Sequence, residues 1–182
     1  MSLAQWLFTV VIGPTWPNTK PLLEVISIRH VPGNTAGLKP SQKRLLERTY
    51  QRRVAPDRII SPELARHLAG ISREIGRQVG VLVNRRGQIE DVFVGDAHRI
   101  YLPDIGRTRA GQSNLRGLRH IHTVFGKDGL HRDDFADLTK LRLDLVVALE
   151  TRDDGQPGKL TTAHINPNAH KAKRTIDHVT SE

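Results

Sequence analysis

The residues with the clearest chemical potential lie in the second half of the chain, where His120 and His122 are separated by one residue. Alternate residues of a β-strand point to the same face, so both imidazoles could reach one metal ion. Asp133 and Asp134 follow at the start of a predicted helix, shortly after His131. An aspartate from that helix would supply a third protein ligand and leave a fourth position for water, which is the arrangement of a catalytic zinc site.

This spacing resembles that of the JAB/MPN metal-dependent hydrolases, whose signature is His-x-His-Pro, a seven-residue spacer and Ser-x-x-Asp. On that pattern His120, His122 and Asp134 fall at the metal-ligand positions. The resemblance implies zinc as the cofactor and hydrolysis as the activity. Two positions depart from the signature, because Thr123 replaces the proline and His131 replaces the serine.

A working hydrolase of this kind also needs an acid/base glutamate near the first strand. Glu74 and Glu90 are the nearby candidates, and neither has a convincing position. Three interpretations stay open: a working hydrolase, a vestigial site, or two ordinary strand histidines beside a helix in which Asp133 caps or forms a local salt bridge. The departures from the signature favour the last, so no catalytic residue is assigned.

A second cluster of residues is basic. The 182-residue chain has 28 lysines and arginines against 19 acidic residues, a formal net charge of +9, and such an excess favours polyanionic partners such as RNA. Arg107, Arg109, Arg116 and Arg119 lie in or beside residues 104–117, a polar segment predicted to be a long loop. Guanidinium groups on a loop suit phosphate oxygens. Because no aromatic residues are interleaved with them, we expect recognition of shape and backbone, and a solvated charged face is the alternative.

Other functional classes are excluded by what the sequence lacks. It has no cysteine, which removes disulfides, thiol nucleophiles and cysteine-based zinc sites. A P-loop needs glycines at a fixed spacing, then lysine and a hydroxyl residue; residues 126–129 have neither the spacing nor the hydroxyl. The Gly-x-Gly-x-x-Gly motif of dinucleotide sites is missing as well. The sequence therefore predicts that this chain alone does not hydrolyse GTP or ATP.

The N-terminal apolar run at 4–13 bears on localisation. It is far shorter than the ~20 residues that a bilayer-spanning helix needs. No positive residue precedes it, and no clear cleavage site follows before Pro14 and Pro17. We therefore expect a cytoplasmic protein without a membrane partner.

The elements that must position these residues follow from periodicity and capping signals. Helices are predicted from Ser41 as N-cap to about residue 53, from Ser61 as N-cap with Pro62 in the first turn, and over 132–141. Strands are predicted at 79–83, 89–94, 98–102, 118–125 (half-buried), 143–149 (central) and 160–165, with a hairpin turn at 84–87 and an optional strand at 22–28. This order predicts an α/β fold with a mixed sheet flanked by helices. The JAB/MPN resemblance implies a three-layer arrangement like that of the cytidine deaminases.

Several distinctive stretches are spread over residues 33–166. They include Gly33-Asn34-Thr35-Ala36-Gly37-Leu38-Lys39-Pro40, Ser61-Pro62-Glu63-Leu64-Ala65, Gly106-Arg107-x-Arg109-Ala110-Gly111 and Arg132-Asp133-Asp134. Together they resemble the additional N-terminal domain of a long form of HflX-type GTPases, the ribosome-associated bacterial GTP-binding proteins. In that long form the domain precedes the HflX domain, a helical linker and the G domain.

The resemblance implies an accessory domain whose partners are the ribosome or ribosomal RNA and a G domain in cis or in trans. GTP and magnesium would belong to that G domain, which this chain lacks, so we expect a stand-alone fragment, a truncated gene product or an isolated first domain. The chain would divide into a poorly matched N-terminal extension (1–32), the HflX-type α/β domain (33–166) and a flexible basic tail (167–182). In that group His122 begins a His-Thr-His motif, and Val124 here replaces its second histidine; His120, which faces the same side of the strand, could substitute for it.

Overall fold

The computed structural model of the chain describes residues 29–102, 115–127 and 129–165. Helices α1 (Pro40–Arg48) and α2 (Pro62–Ile75) come first in these ranges, with a short 3-10 turn at Thr49–Gln51 between them. The later elements are β1 (Val79–Asn84), β2 (Ile89–Val94), β3 (Leu118–Phe125), α3 (Arg132–Lys140), β4 (Leu145–Thr151) and β5 (Pro157–Ala163).

The five strands form one mixed sheet in the order β2-β1-β3-β4-β5. Strands β3 and β4 are parallel and are connected through α3, whereas the other neighbouring pairs are antiparallel. A parallel pair needs such a crossover connection, because a tight turn can join only antiparallel strands. The predicted α/β class, with a mixed sheet flanked by helices, is confirmed.

Helices cover both faces of the sheet, so the fold has three layers. Leu64 and Leu68 of α2 pack with Val81 and Ile121 on one face, in a core to which α1 contributes Leu46. The other face has a second core in which α3 takes part; its members include Leu82, Phe93, Leu138 and Val146. Strand β3 lies in the middle of the sheet and is buried on both faces, which places its side chains in the interior.

Local signals define α2 as the sequence predicts. The Ser61 side chain accepts a hydrogen bond from the Leu64 N–H at 3.2 Å, and Pro62 occupies the first helical turn. Gly76 ends the helix with a φ of 64°, in the left-handed region that glycine adopts without steric cost. The hairpin at 84–87 and the strands on either side of it are also found where they are predicted.

Three predictions about individual elements are wrong, and the first two concern where elements form. Helix α1 is capped at Lys39, where the Gln42 side chain accepts from the Lys39 N–H at 2.9 Å, and it ends at Arg48 before the 3-10 turn. No strand forms at 98–102, because Asp96 closes a turn there: its carboxylate accepts from the N–H groups of His98 and Arg99 at 2.7 and 2.6 Å.

The third concerns the burial of β3. The sequence predicts a half-buried β3, yet β3 is the middle strand of the sheet and is buried on both faces. The predicted central β4 is confirmed, because this strand pairs with β3 on one side and with β5 on the other. Strand β5 begins at Pro157, earlier than predicted. The predicted strand at 22–28, most of the loop at 104–117, the extension up to residue 28 and the tail after residue 165 lie outside the described residues. Within the described ranges, no helix has the length and apolar character to cross a membrane.

Candidate functional sites

The two histidines of β3 lie together under α3. His120 and His122 are each 1% exposed, and their rings stack with centroids 4.9 Å apart and an interplanar angle of 24°. Phe93 of β2 lies on the other side of His120, with ring centroids 5.4 Å apart. The alternation of side chains along β3 therefore brings both imidazoles into the second core, on the face that α3 covers.

Asp134, in the first turn of α3, lies beside His122. Its Oδ1 is 3.1 Å from His122 Nε2, and its Oδ2 accepts from the His131 N–H at 2.8 Å. The first contact is within ion-pair distance, and the remaining ring nitrogens, His122 Nδ1 and both nitrogens of His120, have no hydrogen-bond partner. Asp134, and not the predicted Asp133, thus caps the helix, while Asp133 is exposed.

Burial decides the charge states in this cluster. Loss of solvation lowers the pKa of His120 to about 3, with a smaller effect in the same direction from His122, so His120 is neutral. Burial opposes ionisation of Asp134, but the contact with His122 and the N–H of His131 outweigh it and hold its pKa below the usual value. The cluster therefore combines a carboxylate with a neutral imidazole.

The cluster does not present a three-ligand metal site in the stretch of chain that the structure describes, where no group of three or more histidine, aspartate or glutamate side chains could hold a metal ion. His122 lies against Asp134, but His120 stacks on His122 and makes no ion pair with the carboxylate. Of the two glutamates considered as acid/base, Glu74 is exposed on α2 and Glu90 accepts from Asn84 Nδ2 at 2.6 Å; neither lines the space beside His122.

An open cleft of about 860 Å³ lies beside His122. It is formed by the C-terminal end of α2, the residues after β2, the end of β3 and the start of α3. Its polar and aromatic lining residues are Arg73, Gln78, His98, Arg99, His122, Phe125, His131, Arg132, Asp133 and Asp134. We refer to it below as the His122 cleft.

Exposed arginines gather at the opposite end of the sheet, around the hairpin that joins β1 to β2. The backbone of Arg53 pairs with Gln88 next to the hairpin turn, and the Arg119 guanidinium donates to the carbonyl of Arg58. These contacts bring residues from three separate segments to one end of the sheet. The exposed members of the group, called here the arginine-rich end, are Arg53, Arg58, Arg85, Arg86 and Arg116.

Asp144 connects two segments of the arginine-rich end through hydrogen bonds. Its carboxylate accepts from Arg85 Nε at 2.9 Å, from Arg85 Nη2 at 3.2 Å and from the Gly117 N–H at 3.0 Å. The hydrogen bonds from Arg85 are the main cause that lowers the pKa of Asp144. A two-point guanidinium–carboxylate contact fixes orientation as well as distance, so the hairpin is held against the start of β3.

The four arginines predicted to contact phosphate have different surroundings. Arg116 is exposed at the arginine-rich end. Arg119 is half-buried, donates to the carbonyls of Arg58, Ile59 and Asn84, and has a pKa lowered by burial, so its guanidinium serves the fold. Arg107 and Arg109 lie outside the described residues.

No protein-family model, curated protein or solved structure matches this chain. Its two candidate sites, the His122 cleft and the arginine-rich end, are therefore interpreted from their own residues. The arginines of the cleft, Arg73, Arg99 and Arg132, have no motif spacing and are brought together by the fold alone.

Proposed function

We propose that this chain is an accessory domain of an HflX-like GTP-binding protein that contacts RNA, and through it the ribosome, without hydrolysing GTP itself. The arginine-rich end carries the proposal, because its exposed guanidinium groups surround a single hairpin. Such groups bind phosphate oxygens and need no base contact. The resemblance of residues 33–166 to the long form of HflX-type GTPases supports the ribosome as the source of that RNA and a G domain, in cis or in trans, as the GTP-binding partner.

The scaffold under these arginines supports the proposal further. The Val54 N–H donates to the Gly87 carbonyl at 2.9 Å, which joins the segment of Arg53 to the hairpin. Asp144 joins the hairpin to the segment of Arg116. Guanidinium groups on connected elements lose less conformational freedom on binding than groups on independent loops. Arg107 and Arg109 are included in the test below because they precede Arg116 closely in the sequence.

A charge-matched pair of variants tests the RNA contact. The test variant replaces Arg53, Arg86 and Arg116 by Gln; the control replaces Lys127, Arg152 and Lys159, which are exposed elsewhere, by Gln. Binding to a short RNA duplex, followed by fluorescence anisotropy, should weaken about tenfold or more in the test variant. The slope of log K against log salt should fall by about 2, since each lost phosphate contact removes roughly 0.7–0.9.

Co-sedimentation with ribosomes provides the second readout. The test variant and an Arg107/Arg109/Arg116→Ala variant should both be depleted from the ribosomal pellet, while the control should sediment like the original chain. Equal loss in the test and control variants would mean that net charge alone drives binding. No loss in either arginine variant would exclude the proposed surface.

A divergent JAB/MPN-like hydrolase using His120, His122 and Asp134 is the second candidate. The contact between His122 and Asp134, with the unpartnered ring nitrogens, favours it. Against it, His120 does not approach the carboxylate, and the described residues lack a group of three metal-binding side chains. Protein purified without chelators should then contain one zinc per chain, lost in His122→Ala; metal analysis that finds no zinc disposes of this candidate.

A further inference from the structure

We propose that the His122 cleft binds a small phosphomonoester, with the phosphate held by Arg99 and Arg132 and the rest of the ligand reaching His122. This inference does not depend on RNA binding at the arginine-rich end. The cleft volume of about 860 Å³ falls within the roughly 300–1,000 Å³ of small-molecule sites. It exceeds what a bare phosphate fills, so the cleft has room for the body of the ligand beside its phosphate.

The charges that line the cleft favour an anion. Arg73, Arg99 and Arg132 face two carboxylates, and Asp134 is already engaged by His122 and the His131 N–H. Among the described residues that line the cleft, Asp133 is then the remaining carboxylate beside three guanidinium groups.

These guanidinium groups are also available to a ligand. The Arg132 guanidinium has no hydrogen bond or ion pair with any described residue. Among the described residues, the Arg99 guanidinium donates only to the Tyr101 hydroxyl at 3.3 Å, and the Arg73 guanidinium lies 3.6 Å from the fully exposed Asp153. Contacts this exposed contribute little, so a phosphate dianion can replace them.

The segment that carries Arg99 is held in place before any ligand binds. Besides accepting from His98 and Arg99, Asp96 donates its own N–H to the Arg99 carbonyl at 2.8 Å. Gly95 lies so close that a Cβ there would be 2.2 Å from the Arg99 carbonyl oxygen, and its N–H donates to the Gln78 carbonyl at 2.9 Å. Such a preformed turn lowers the entropy cost of binding.

The floor of the cleft points to a polar group on the ligand. His122 is 1% exposed; its Nε2 lies 3.1 Å from the Asp134 carboxylate, and its Nδ1 has no hydrogen-bond partner. An unsatisfied buried polar group is costly, and a native structure rarely leaves one without a reason. A ligand hydroxyl or amine that reaches His122 and Asp134 would satisfy it. The half-buried ring of Phe125 at the cleft wall offers an apolar surface to a ring such as a nucleobase.

Two ligands share this chemistry: a free mononucleotide and the 5′-phosphate end of an RNA. Calorimetric titrations with AMP, adenosine and inorganic phosphate test the first. Anisotropy with a single-stranded RNA hexamer, carrying either a 5′-phosphate or a 5′-hydroxyl, tests the second. Adenosine should bind about tenfold or more weakly than AMP, because it lacks the charge-assisted hydrogen bonds of the phosphate. Inorganic phosphate should also bind more weakly, because it cannot reach His122.

Charge-matched variants locate the site. Arg99→Gln with Arg132→Gln should lower the affinity for AMP, or the affinity advantage of the 5′-phosphate RNA, about tenfold or more. Arg152→Gln with Lys159→Gln removes the same charge outside the cleft and should leave these affinities unchanged. His122→Asn should lower the affinity for AMP but leave the affinity for inorganic phosphate unchanged. Because that variant could fold poorly, the ring ¹⁵N resonances of His122 in the unmodified chain give a second readout and should shift on AMP addition.

Each result of these titrations either supports the proposed site or excludes it. Binding of AMP alone identifies a free mononucleotide, and an advantage of the 5′-phosphate RNA alone identifies an RNA end; both support the site. Three results would overturn it: neither phosphorylated ligand binding at millimolar concentration, adenosine binding as tightly as AMP, or the control variant losing as much affinity as Arg99→Gln with Arg132→Gln.

Discussion

His67 shows how one half-buried residue makes the stability of this domain depend on pH. It lies on α2 with its Nε2 2.9 Å from the Thr49 Oγ1, between the two N-terminal helices. Burial, with a smaller contribution from the charge of Arg52, lowers its pKa from 6.5 to about 4. A lowered pKa in the folded state means that the folded chain takes up the proton less readily than the unfolded chain.

We therefore expect His67 to reduce the free energy of unfolding as pH falls from about 6.5 to about 4. Above pH 6.5 His67 is neutral in both the folded and the unfolded chain, so this loss of stability is absent there. Urea unfolding of His67→Gln and of the original chain, measured at several pH values, should converge as the pH is lowered through this window. His164→Gln, which changes an exposed histidine, is the control. A constant difference between the original chain and His67→Gln would contradict the assignment.

Gly87 gives a second prediction at the scale of one residue. Its φ is +76°, and a Cβ there would lie 1.7 Å from the Val54 carbonyl oxygen, whereas Gly37 has a φ of +74° and no atom within 4 Å. Gly37→Ala tests the backbone cost alone, about 1 kcal/mol. Gly87→Ala adds a backbone clash and should cost roughly 2 kcal/mol more in urea unfolding. Equal losses in the two variants would show that the hairpin moves away from Val54 at little cost.

At the scale of helices and strands, a buried chain of hydroxyls connects α2 to the central strands. The Val79 N–H donates to the Thr123 Oγ1 at 2.8 Å, Thr123 donates to the Ser72 Oγ at 2.9 Å, and Ser72 donates to the Arg77 carbonyl at 2.7 Å. Thr123 and Ser72 are fully buried. Thr123, one of the two residues that depart from the JAB/MPN signature, therefore joins β3 and β1 to the helix behind them.

Thr123→Val should lower the free energy of unfolding by about 1–3 kcal/mol, because it leaves the Val79 N–H buried without a partner. Thr123→Ser keeps the hydroxyl and should lose less. A double-mutant cycle with Ser72→Ala should show coupling, since both residues belong to one hydrogen-bond chain. Strictly additive losses from Thr123→Val and Ser72→Ala would mean that the two hydroxyls stabilise the fold independently.

Across the domain as a whole, the two proposed sites lie at opposite ends of the same strands. Strand β1 runs from Val79, near the cleft, to Asn84 at the hairpin, a span of roughly 17 Å at about 3.3 Å per residue. Charges that far apart are largely screened at physiological salt, where the Debye length is about 8 Å. Neither phosphate site should therefore alter the other by electrostatics alone.

We expect saturating AMP to leave the affinity for a 5′-hydroxyl RNA duplex unchanged within about twofold, because the two ligands share no residue. Anisotropy titrations with and without AMP measure this. The same titrations on Arg99→Gln with Arg132→Gln provide the control, since AMP cannot act through the cleft in that variant. Competition in the original chain that persists in this variant would place AMP at the arginine-rich end instead.

Features that depend on neighbours along the chain could be predicted from the sequence. Several features follow from signals within a few residues. Capping predicts the start of α2 at Ser61 and its end at Gly76. Turn chemistry predicts the hairpin at 84–87, and short apolar runs predict the limits of β1 and β2. The pairing of His120 and His122 on one face of β3 has the same origin. The wrong strand at 98–102 shows the limit of such signals, since hydrogen bonds to a single carboxylate, that of Asp96, hold the start of this segment in a turn.

Features that join distant segments emerge only when the chain is folded. Strand order depends on which strands pair with each other, and the pattern along one strand does not specify its partners. The burial of β3 on both faces follows from that order. No regular spacing in the sequence predicts the two arginine clusters. One brings Arg53, Arg85 and Arg116 to one end of the sheet, and the other places Arg73, Arg99 and Arg132 around His122. Stacking of the two imidazoles and the approach of Asp134 to one of them arise when α3 packs onto the sheet. The physical reason is the same in each case: these contacts form through burial and packing between segments that no local preference relates.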